Sequence, residues 1–348
     1  MRALGRLDPI TLFSHAGPMA ETPQRPLNPD DSLPPVEPPS AAFLVQLFLV
    51  PGLIVAIIVC VWLAFHWLAH LGNDPQAYVR TLRRANEGRW QAALNLANDL
   101  RGPGGGQLKS DADLAAELGS ILDDEVTSGR TGEQSQTLRL YLCRALGEFS
   151  VPEAAAALVR RVTADGDSET ARAAVEALAV LASTLAEAGR DFTDRPEVIT
   201  AVTAASTSAD AELRNACSFT LGVLGGEPSV EALLRLASDE DADVRANAAL
   251  GLARLGRSEA YETLSEMLAT PDIETTAASS DEEQSQRYKR VLVVVNALRG
   301  IAALVDVTSE QPPGQVTAIV QRLEKDKVAE VRSSAAAVAK KVARLSDG

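Results

Sequence analysis

Residues 209–269 contain the same pattern of two helices written twice. Apolar residues between Leu213 and Leu224 recur at spacings of three and four, which indicates a helix with one buried face. A pair of glycines ends this pattern, and a second apolar stripe follows over residues 230–237. The second copy repeats both stripes, and its Arg245 stands 31 positions after Arg214. A repeat of this length predicts a solenoid of stacked helical pairs rather than a globule.

The same arrangement recurs in a less regular form over residues 131–345. Each predicted first helix carries an apolar stripe and is followed by a shorter second helix. The further predicted pairs lie at residues 138–162, 171–202 and 291–323, and a last helix lies at residues 328–345. Residues 270–286 interrupt the series, because they are rich in acidic residues, Ser and Thr and have no apolar period. We predict a solvated acidic loop there.

The N-terminal part of the chain differs from the repeats in composition. Residues 1–40 contain nine of the 18 prolines and no apolar period, which predicts a disordered tail. Residues 41–71 contain no Asp, Glu, Lys or Arg. Because about 20 helical residues span a bilayer core, this segment predicts one transmembrane helix. Pro51 and Gly52 are expected to kink the helix without ending it, since neighbouring groups can satisfy the carbonyl that proline leaves without a donor.

Basic residues on the two sides of the span predict its orientation. Arg25 is the basic residue nearest to the span on the N-terminal side, whereas Arg80, Arg83, Arg84 and Arg89 follow the span closely. Short flanking segments that carry more Lys and Arg remain in the cytoplasm. We therefore predict a single-pass membrane protein with an extracytoplasmic N-terminal tail and a cytoplasmic C-terminal solenoid.

Residues 73–130 predict a short helical region between the span and the repeats. Residues 75–101 have the pattern of a helical hairpin, and the run Ala85–Leu94 resembles half of a tetratricopeptide repeat. Gly102–Gly106 is interpreted as a linker, because a phosphate-binding loop would place its lysine directly after the last glycine. A further helix is predicted over residues 111–126.

A family resemblance agrees with this architecture. The run Asp239–Leu250, followed by Leu255-Gly256, resembles a HEAT repeat of the type also found in bilin-lyase-like proteins. The resemblance implies an all-α, HEAT-like superhelix, which the transmembrane helix precedes in this chain. It also implies that the second helices line a concave binding surface, and that an arginine near the start of each first helix forms a structural ladder with acidic residues of neighbouring repeats. The ladder residues are Arg139, Arg172, Arg214, Arg245 and Arg332. At the helix of Val291 the pair Lys289-Arg290 departs from the pattern, which leaves the ladder unassigned there.

The residue types that catalysis and metal binding need are scarce. The three histidines, His15, His66 and His70, all lie at or before the predicted span. The region after the span therefore offers no Ser-His or Cys-His pair and no histidine-based zinc site. His66 and His70 share a helical face, but without a third ligand nearby they are interpreted as interfacial anchors. We predict no catalytic residue, no metal site and no cofactor, and a protein that is not an enzyme.

The cysteine content and the net charge indicate which structural features and which class of partner to expect. Cys60, Cys143 and Cys217 provide no disulfide framework, and Cys143 and Cys217 lie on apolar helix faces, where burial is expected. The formal net charge of −14 opposes non-specific binding to nucleic acid or anionic lipid. A protein partner of unknown identity is therefore expected.

Two functions follow as hypotheses. The first is a membrane-anchored scaffold that binds a protein on the cytosolic face through exposed residues of its second helices. The candidate partner-binding residues are Glu231, Arg235, Glu262 and Glu266. The alternative, which rests on the resemblance alone, is a lyase-like or chaperone-like accessory protein related to the bilin lyases.

Overall fold

The computed structural model describes residues 40–70, 75–84, 88–164, 166–192, 195–271 and 280–346. Within these ranges the chain is helical and contains no strand, which confirms the predicted all-α fold class. The chain divides into two compact units, Met1–His70 and Leu71–Gly348, and each is described by itself.

The described residues contain sixteen α-helices and one short 3₁₀-helix. The helices before the repeats are α1 Ala41–His70, α2 Pro75–Arg83, α3 Arg89–Arg101, α4 Gly106–Lys109 and α5 Ala112–Thr127. The first helices of the repeats are α6 Glu133–Gly147, α8 Ser168–Glu187, α10 Ala211–Leu224, α12 Ala242–Arg254, α14 Asp281–Thr308 and α16 Ala329–Ser346. The second helices are α7 Ala155–Val162, preceded by the 3₁₀-helix Pro152–Ala154, and then α9 Pro196–Ala205, α11 Glu227–Leu236, α13 Ala260–Leu268 and α15 Gly314–Leu323.

The first unit is described from residue 40 and consists of α1. This helix continues through Pro51 without a break, as the sequence predicts. Its apolar window Val45–Phe65 has no buried residue in the unit, so large apolar side chains such as Phe48 and Trp62 are exposed. The predicted disordered tail comprises residues 1–40, and all of it except Ser40 lies outside the described residues.

The second unit is a stack of helical pairs. Each first helix packs against the next first helix along the chain, from α6 through α16, and each second helix covers one side of that layer. Helix α3 packs against α6 in the same way, and the Trp90 and Tyr141 rings stack between these two helices with centroids 6.2 Å apart. The region before residue 131 therefore continues the stack and is part of the same compact unit.

Short polar residues start the first helices, and glycine ends one of them. The Asp167, Asp210 and Asp241 side chains accept bonds from backbone N–H groups of the first turns of α8, α10 and α12, which satisfies donors that a helix leaves without partners. Gly225 and Gly226 follow α10 with φ of 69° and 80°, a left-handed conformation that glycine adopts without steric cost. The aspartate caps and the glycine pair therefore fix the helix ends at the repeat boundaries that the apolar periodicity predicts.

Helices α10 and α12 approach closely at a point where both lack a side chain. A Cβ atom built on Gly222 of α10 would lie 2.6 Å from the Cα atom of Gly251 of α12. The contact is therefore backbone against backbone, and any side chain at Gly222 would push the two repeats apart.

Helix α14 is much longer than the other first helices and begins earlier than expected. Its start is fixed by a capping box, in which the Ser280 and Glu283 side chains each accept a bond from the backbone N–H of the other residue. The interpretation of residues 270–286 as a loop is therefore wrong for Asp281–Gln286, which are helical, while residues 272–279 lie outside the described residues.

Two described helices, α1 and α14, are long and apolar enough to cross a membrane. They differ in burial, because 44% of the apolar window of α14 is buried within its unit and none of the window of α1 is. Helix α14 packs against α12, α13 and α16, as a core helix of the stack does. The membrane hypothesis therefore concerns α1.

Candidate protein interface

Two of the predicted ladder residues form buried ion pairs with the following repeat. Arg139 of α6 donates to Asp167 with an Nη1–Oδ2 distance of 2.5 Å, and Arg214 of α10 donates two bonds to Asp239, of 2.8 and 2.9 Å. Both arginines are less than 10% exposed. Arg214 also donates to two carbonyls of the loop before its own helix, so its guanidinium joins that loop to the next repeat.

A third buried pair lies where the sequence left the ladder unassigned. Arg290 of α14 is 5% exposed and donates to Asp326 with an Nη2–Oδ2 distance of 2.8 Å. Burial raises the pKa of the Asp326 carboxyl, but the hydrogen bonds from Arg290 and the Val328 N–H, together with the charges of Arg290 and Arg332, outweigh burial and hold this pKa below its ordinary value. The hydrogen bond from Arg214 likewise lowers the pKa of Asp239. Both aspartates are therefore anionic partners of buried cations at neutral pH.

The other three predicted ladder residues have different contacts. Arg172 is partly exposed and lies 3.3 Å from Glu212 of the next first helix. Arg245 and Arg332 each donate to two carbonyls of the loop before their own helix, at 2.8 to 3.0 Å. Arg172 therefore forms an exposed ion pair with the next repeat, whereas the ladder role of Arg245 and Arg332 between repeats remains a prediction.

A buried carboxylate connects the helices before residue 131 to the first repeat. Glu125 of α5 is 1% exposed and accepts bonds from Arg89 at 2.6 Å, Arg130 at 2.7 Å and Ser135 at 2.5 Å. Burial alone would raise the pKa of Glu125, but these three donors together hold it at about 2. A fully ionised carboxylate thus joins α3, α5 and α6.

The four predicted partner-binding residues are all exposed on second helices. Glu262 and Glu266 of α13 line a groove of about 310 Å³ between α11 and α13, with Arg245 also in its wall. Glu231 and Arg235 lie on α11, where the Arg235 side chain donates to the Glu231 carbonyl at 3.2 Å. The structure thus places two of the four residues in one groove and two on the adjoining helix.

A larger groove of about 830 Å³ lies between α14 and α16. Apolar and aromatic side chains of α14, including Tyr288, Leu292 and Val295, form one wall, and Ser334 belongs to the wall contributed by α16. The sequence analysis did not identify this groove, because its walls come from helices about 40 residues apart. We call it the α14–α16 groove.

The two cysteine thiols of the second unit are unsuited to nucleophilic catalysis and to metal binding. Cys143 and Cys217 are buried, and burial raises the pKa of each thiol to about 12. The thiolate that nucleophilic catalysis or metal binding requires does not form at neutral pH. Among the described residues no group of three His, Cys, Asp or Glu side chains is arranged to hold a metal ion.

Sequence reasoning missed Arg290, Glu125 and the α14–α16 groove. Arg290 could have been found from the capping-box spacing of Ser280 and Glu283, because a helix that begins there carries Arg290 on the same face as Val294 and Leu298. Glu125 and the groove gave no comparable local signal, since their neighbours are distant in sequence.

Comparison with known families identifies one part of the chain directly. Residues 196–280 match the family of HEAT repeats, which covers α9 to α13. No curated protein shows significant similarity to the sequence.

Solved structures resemble the chain only distantly. The Escherichia coli protein YibA is 18% identical, with a TM-score of 0.40, and the match covers 77% of this chain and 92% of that chain. Human deoxyhypusine hydroxylase in complex with glycerol is 19% identical, with a TM-score of 0.31 and coverage of 78% and 96%. The complex of CpcE and CpcF of phycocyanin lyase from Nostoc is 16% identical, with a TM-score of 0.34 and coverage of 77% and 94%. The HEAT-repeat match and the paired helices together make the second unit an all-helical, HEAT-like repeat solenoid.

Proposed function

We propose that this chain is a membrane-anchored, non-catalytic HEAT-repeat scaffold that binds a protein partner on the cytosolic face of the membrane. The observation that carries the membrane part is α1, a 30-residue helix whose apolar window is unburied in its unit. Exposed apolar surface of this extent is costly in water and favourable in a bilayer core. The arginines that follow the span support a cytosolic solenoid.

The repeat architecture supports a binding role. A solenoid presents a long surface made of similar helices, and its residues vary without disturbing the stack because each repeat contacts only its neighbours. Glu262 and Glu266 in the α11–α13 groove, with Glu231 and Arg235 beside it, supply exposed charges for complementarity with a partner.

Membrane insertion is tested by introducing charged residues into the predicted transmembrane helix α1. The full chain should remain with the membrane fraction after alkaline carbonate extraction, and Ile57→Arg combined with Ile58→Arg should release it, because a charge at the centre of a span opposes insertion. Phe219→Arg, which charges an exposed apolar position of the solenoid, is the control and should leave extraction unchanged. A wild-type chain that carbonate extracts would contradict the anchor.

The orientation of α1 in the membrane is tested by a separate protease-protection experiment. A protease-sensitive tag at each terminus of the full chain, tested in sealed inverted vesicles, should be cleaved at the C-terminus and protected at the N-terminus. The opposite pattern would contradict the cytosolic face.

The partner surface is tested by charge reversal in intact cells. A photoreactive residue at Glu266 should cross-link to a discrete protein, and Arg235→Glu combined with Glu262→Lys should reduce that adduct roughly tenfold, since each reversal turns an attractive contact into a repulsive one. Glu187→Lys, an exposed change on α8, is the matched control. An adduct whose yield the double reversal leaves unchanged would remove this face from the proposal.

A further inference from the structure

The first helices of the stack share one face that the next repeat covers. On α6 and α10 a glycine marks this face eight positions after the arginine, since a Cβ atom on Gly147 or Gly222 would lie 2.9 or 2.6 Å from backbone atoms of the next first helix. The residue four positions after the arginine lies on the same face. With Arg290 counted as the arginine of α14, this residue is fully buried on four first helices, as Cys143, Ser218, Ala249 and Val294. Helix α8 departs from the pattern, because its Glu176 is exposed.

On α16 the same face is exposed. The described helices of the unit that pack against α16 are α14 and α15. Counted from Arg332, the corresponding positions are Ala336 and Lys340, and both are exposed. Ala343 is exposed as well and borders an apolar concavity of about 210 Å³ between α15 and α16, with Val320 in its wall. A terminal repeat that meets only water carries a polar outer face, whereas α16 presents alanines. We call Arg332, Ala336, Lys340 and Ala343 the α16 end face.

Arg332 makes half of the contacts that Arg214 makes. In both arginines Nη1 donates to two carbonyls of the loop before the helix, at 2.8 to 3.1 Å. The other edge of Arg214, Nε and Nη2, donates to Asp239, which lies three residues before α12. In the part of the chain that the structure describes, no carboxylate bonds to this edge of Arg332, which is exposed. The loop thus holds the Arg332 guanidinium as Arg214 is held, with the edge that would bond a following helix unoccupied.

The charge of the α16 end face determines which helix can cover it. Arg332 and Lys340 are both basic, and the face contains no acidic residue. Lys340 stands where Gly147 and Gly222 allow backbones to meet, so a helix on α16 stays further away and meets an ammonium group there. A complementary helix has one carboxylate just before its start, opposite Arg332, and a second carboxylate about two turns later, opposite Lys340.

We propose that the α16 end face binds an acidic helix of a partner protein, which stacks parallel to α16 as α12 stacks on α10. The parallel direction follows from α10 and α12, because Arg214 joins their starts through Asp239 and Gly222 meets Gly251 nearer their ends. This inference rests on the proposed scaffold function and adds a surface at the end of the stack to the one on the second helices.

Two other occupants suit the α16 end face less well. A second copy stacked through its own α16 would bring two basic faces together, and α2, the first helix of the unit, contains two arginines and no acidic residue. A membrane surface would require large apolar side chains to insert, as helices that lie on membranes have. Among the described residues, no exposed large apolar side chain belongs to α15 or α16.

Photo-cross-linking of the full chain in its membrane tests the inference. The probe is p-benzoylphenylalanine at Ser333, because its counterpart Asn215 accepts a bond from Asn247 of the next first helix at 2.7 Å. We expect an adduct to another protein, mapped by mass spectrometry to a helix with Asp or Glu up to three residues before its start. Lys340→Glu should lower the adduct yield roughly fivefold, because it places like charges across the contact. Ala343→Trp puts a bulky side chain at an exposed position of the face and should abolish the adduct.

Matched controls separate this inference from the scaffold function. Lys289→Glu makes the same charge reversal at an exposed lysine of α14 and should leave the adduct unchanged. An adduct to lipid or to a second copy of this chain, no adduct, or a yield insensitive to Lys340→Glu overturns the proposal for the α16 end face. If a photoreactive residue at Glu266 still captures a protein in that case, the scaffold function stands; if neither position captures a protein, both proposals fail.

Discussion

The carboxylate of Glu125 shows how much a single buried charge contributes to the continuity of the stack. Its donors come from α3, from the turn after α5 and from α6, so one side chain links three segments. We predict that Glu125→Gln lowers the free energy of unfolding by about 3 kcal/mol, because it leaves the mostly buried Arg89 without its counter-charge. Urea unfolding of the full chain in nanodiscs measures this loss.

The matched control for that change is Glu187→Gln. Glu187 is exposed in the last turn of α8, so the same chemical change should alter the free energy of unfolding by less than about 0.5 kcal/mol. Equal losses at the two positions would show that the amide replacement itself, and not the buried ion pairs, determines the effect.

Leu221 tests whether the apolar stripe of α10 was read correctly. Its side chain is fully buried, so Leu221→Ala should cost about 2 to 5 kcal/mol through lost burial and a residual cavity. Leu292→Ala makes the same substitution at a side chain that is 42% exposed and should cost less than half as much. Thermal melts that rank the two variants in the opposite order would mean that the stripe faces solvent.

The close contact between helices α10 and α12 predicts how a substitution at Gly222 changes the free energy of unfolding. Gly222→Ala improves helix propensity by about 1 kcal/mol, yet its Cβ atom would meet the Gly251 backbone at 2.6 Å. Because a backbone cannot move aside as a flexible side chain can, we expect a net loss of about 1 to 3 kcal/mol. Gly106→Ala, where a Cβ atom meets open space, is the control and should be neutral or stabilising. The melting temperatures of the two variants measure this difference, and Gly222→Ala should melt at the lower temperature.

The elements also show where sequence reasoning succeeds and where it stops. Periodicity predicted α10 to α13, because each of these helices buries one face against a neighbour of the same kind. It missed the first turns of α14, because Asp281–Gln286 project from the stack and their exposed side chains carry no apolar period. The Arg290–Asp326 pair was missed for the same reason, since a helix start that is assigned too late places the arginine outside the helix.

The second unit as a whole should lose stability in acid. The pKa of Glu125 is held at about 2 against an ordinary value of 4.5, and the pKa values of Asp239 and Asp326 are also lowered. The unfolded chain therefore binds more protons than the folded chain as the pH falls below about 4.5. Stability from these groups is fully present above that pH and decreases as the pH approaches 2.

Urea unfolding at several pH values measures this dependence. Glu125 alone should contribute on the order of 3 kcal/mol, from a pKa shift of that size. In Glu125→Gln the slope of stability against pH should be correspondingly shallower. An unchanged slope would mean that the pKa of Glu125 is the same in the folded and the unfolded chain.

For the whole molecule, the sequence predicts the solenoid but not the grooves on its surface. The repeat period alone predicted a solenoid, because the period is a property of each helix and its immediate neighbours. The α14–α16 groove depends on which side chains of two helices, distant in sequence, meet across a gap, and no local pattern encodes that. The exposed charges on the second helices were identified by position, but exposure does not by itself assign them a partner.

The buried arginine pairs have a consequence for how such a chain can change in length. They join α6 to α8, α10 to α12 and α14 to α16, that is, every second junction of the first helices. Each arginine lies on a first helix, and its aspartate lies between the following second helix and the next first helix. A duplicated segment of two helices with the loop that follows them therefore copies the cation and the carboxylate together. Growth or shrinkage of this protein by gene duplication can therefore proceed in steps of one repeat without leaving a buried charge unpaired.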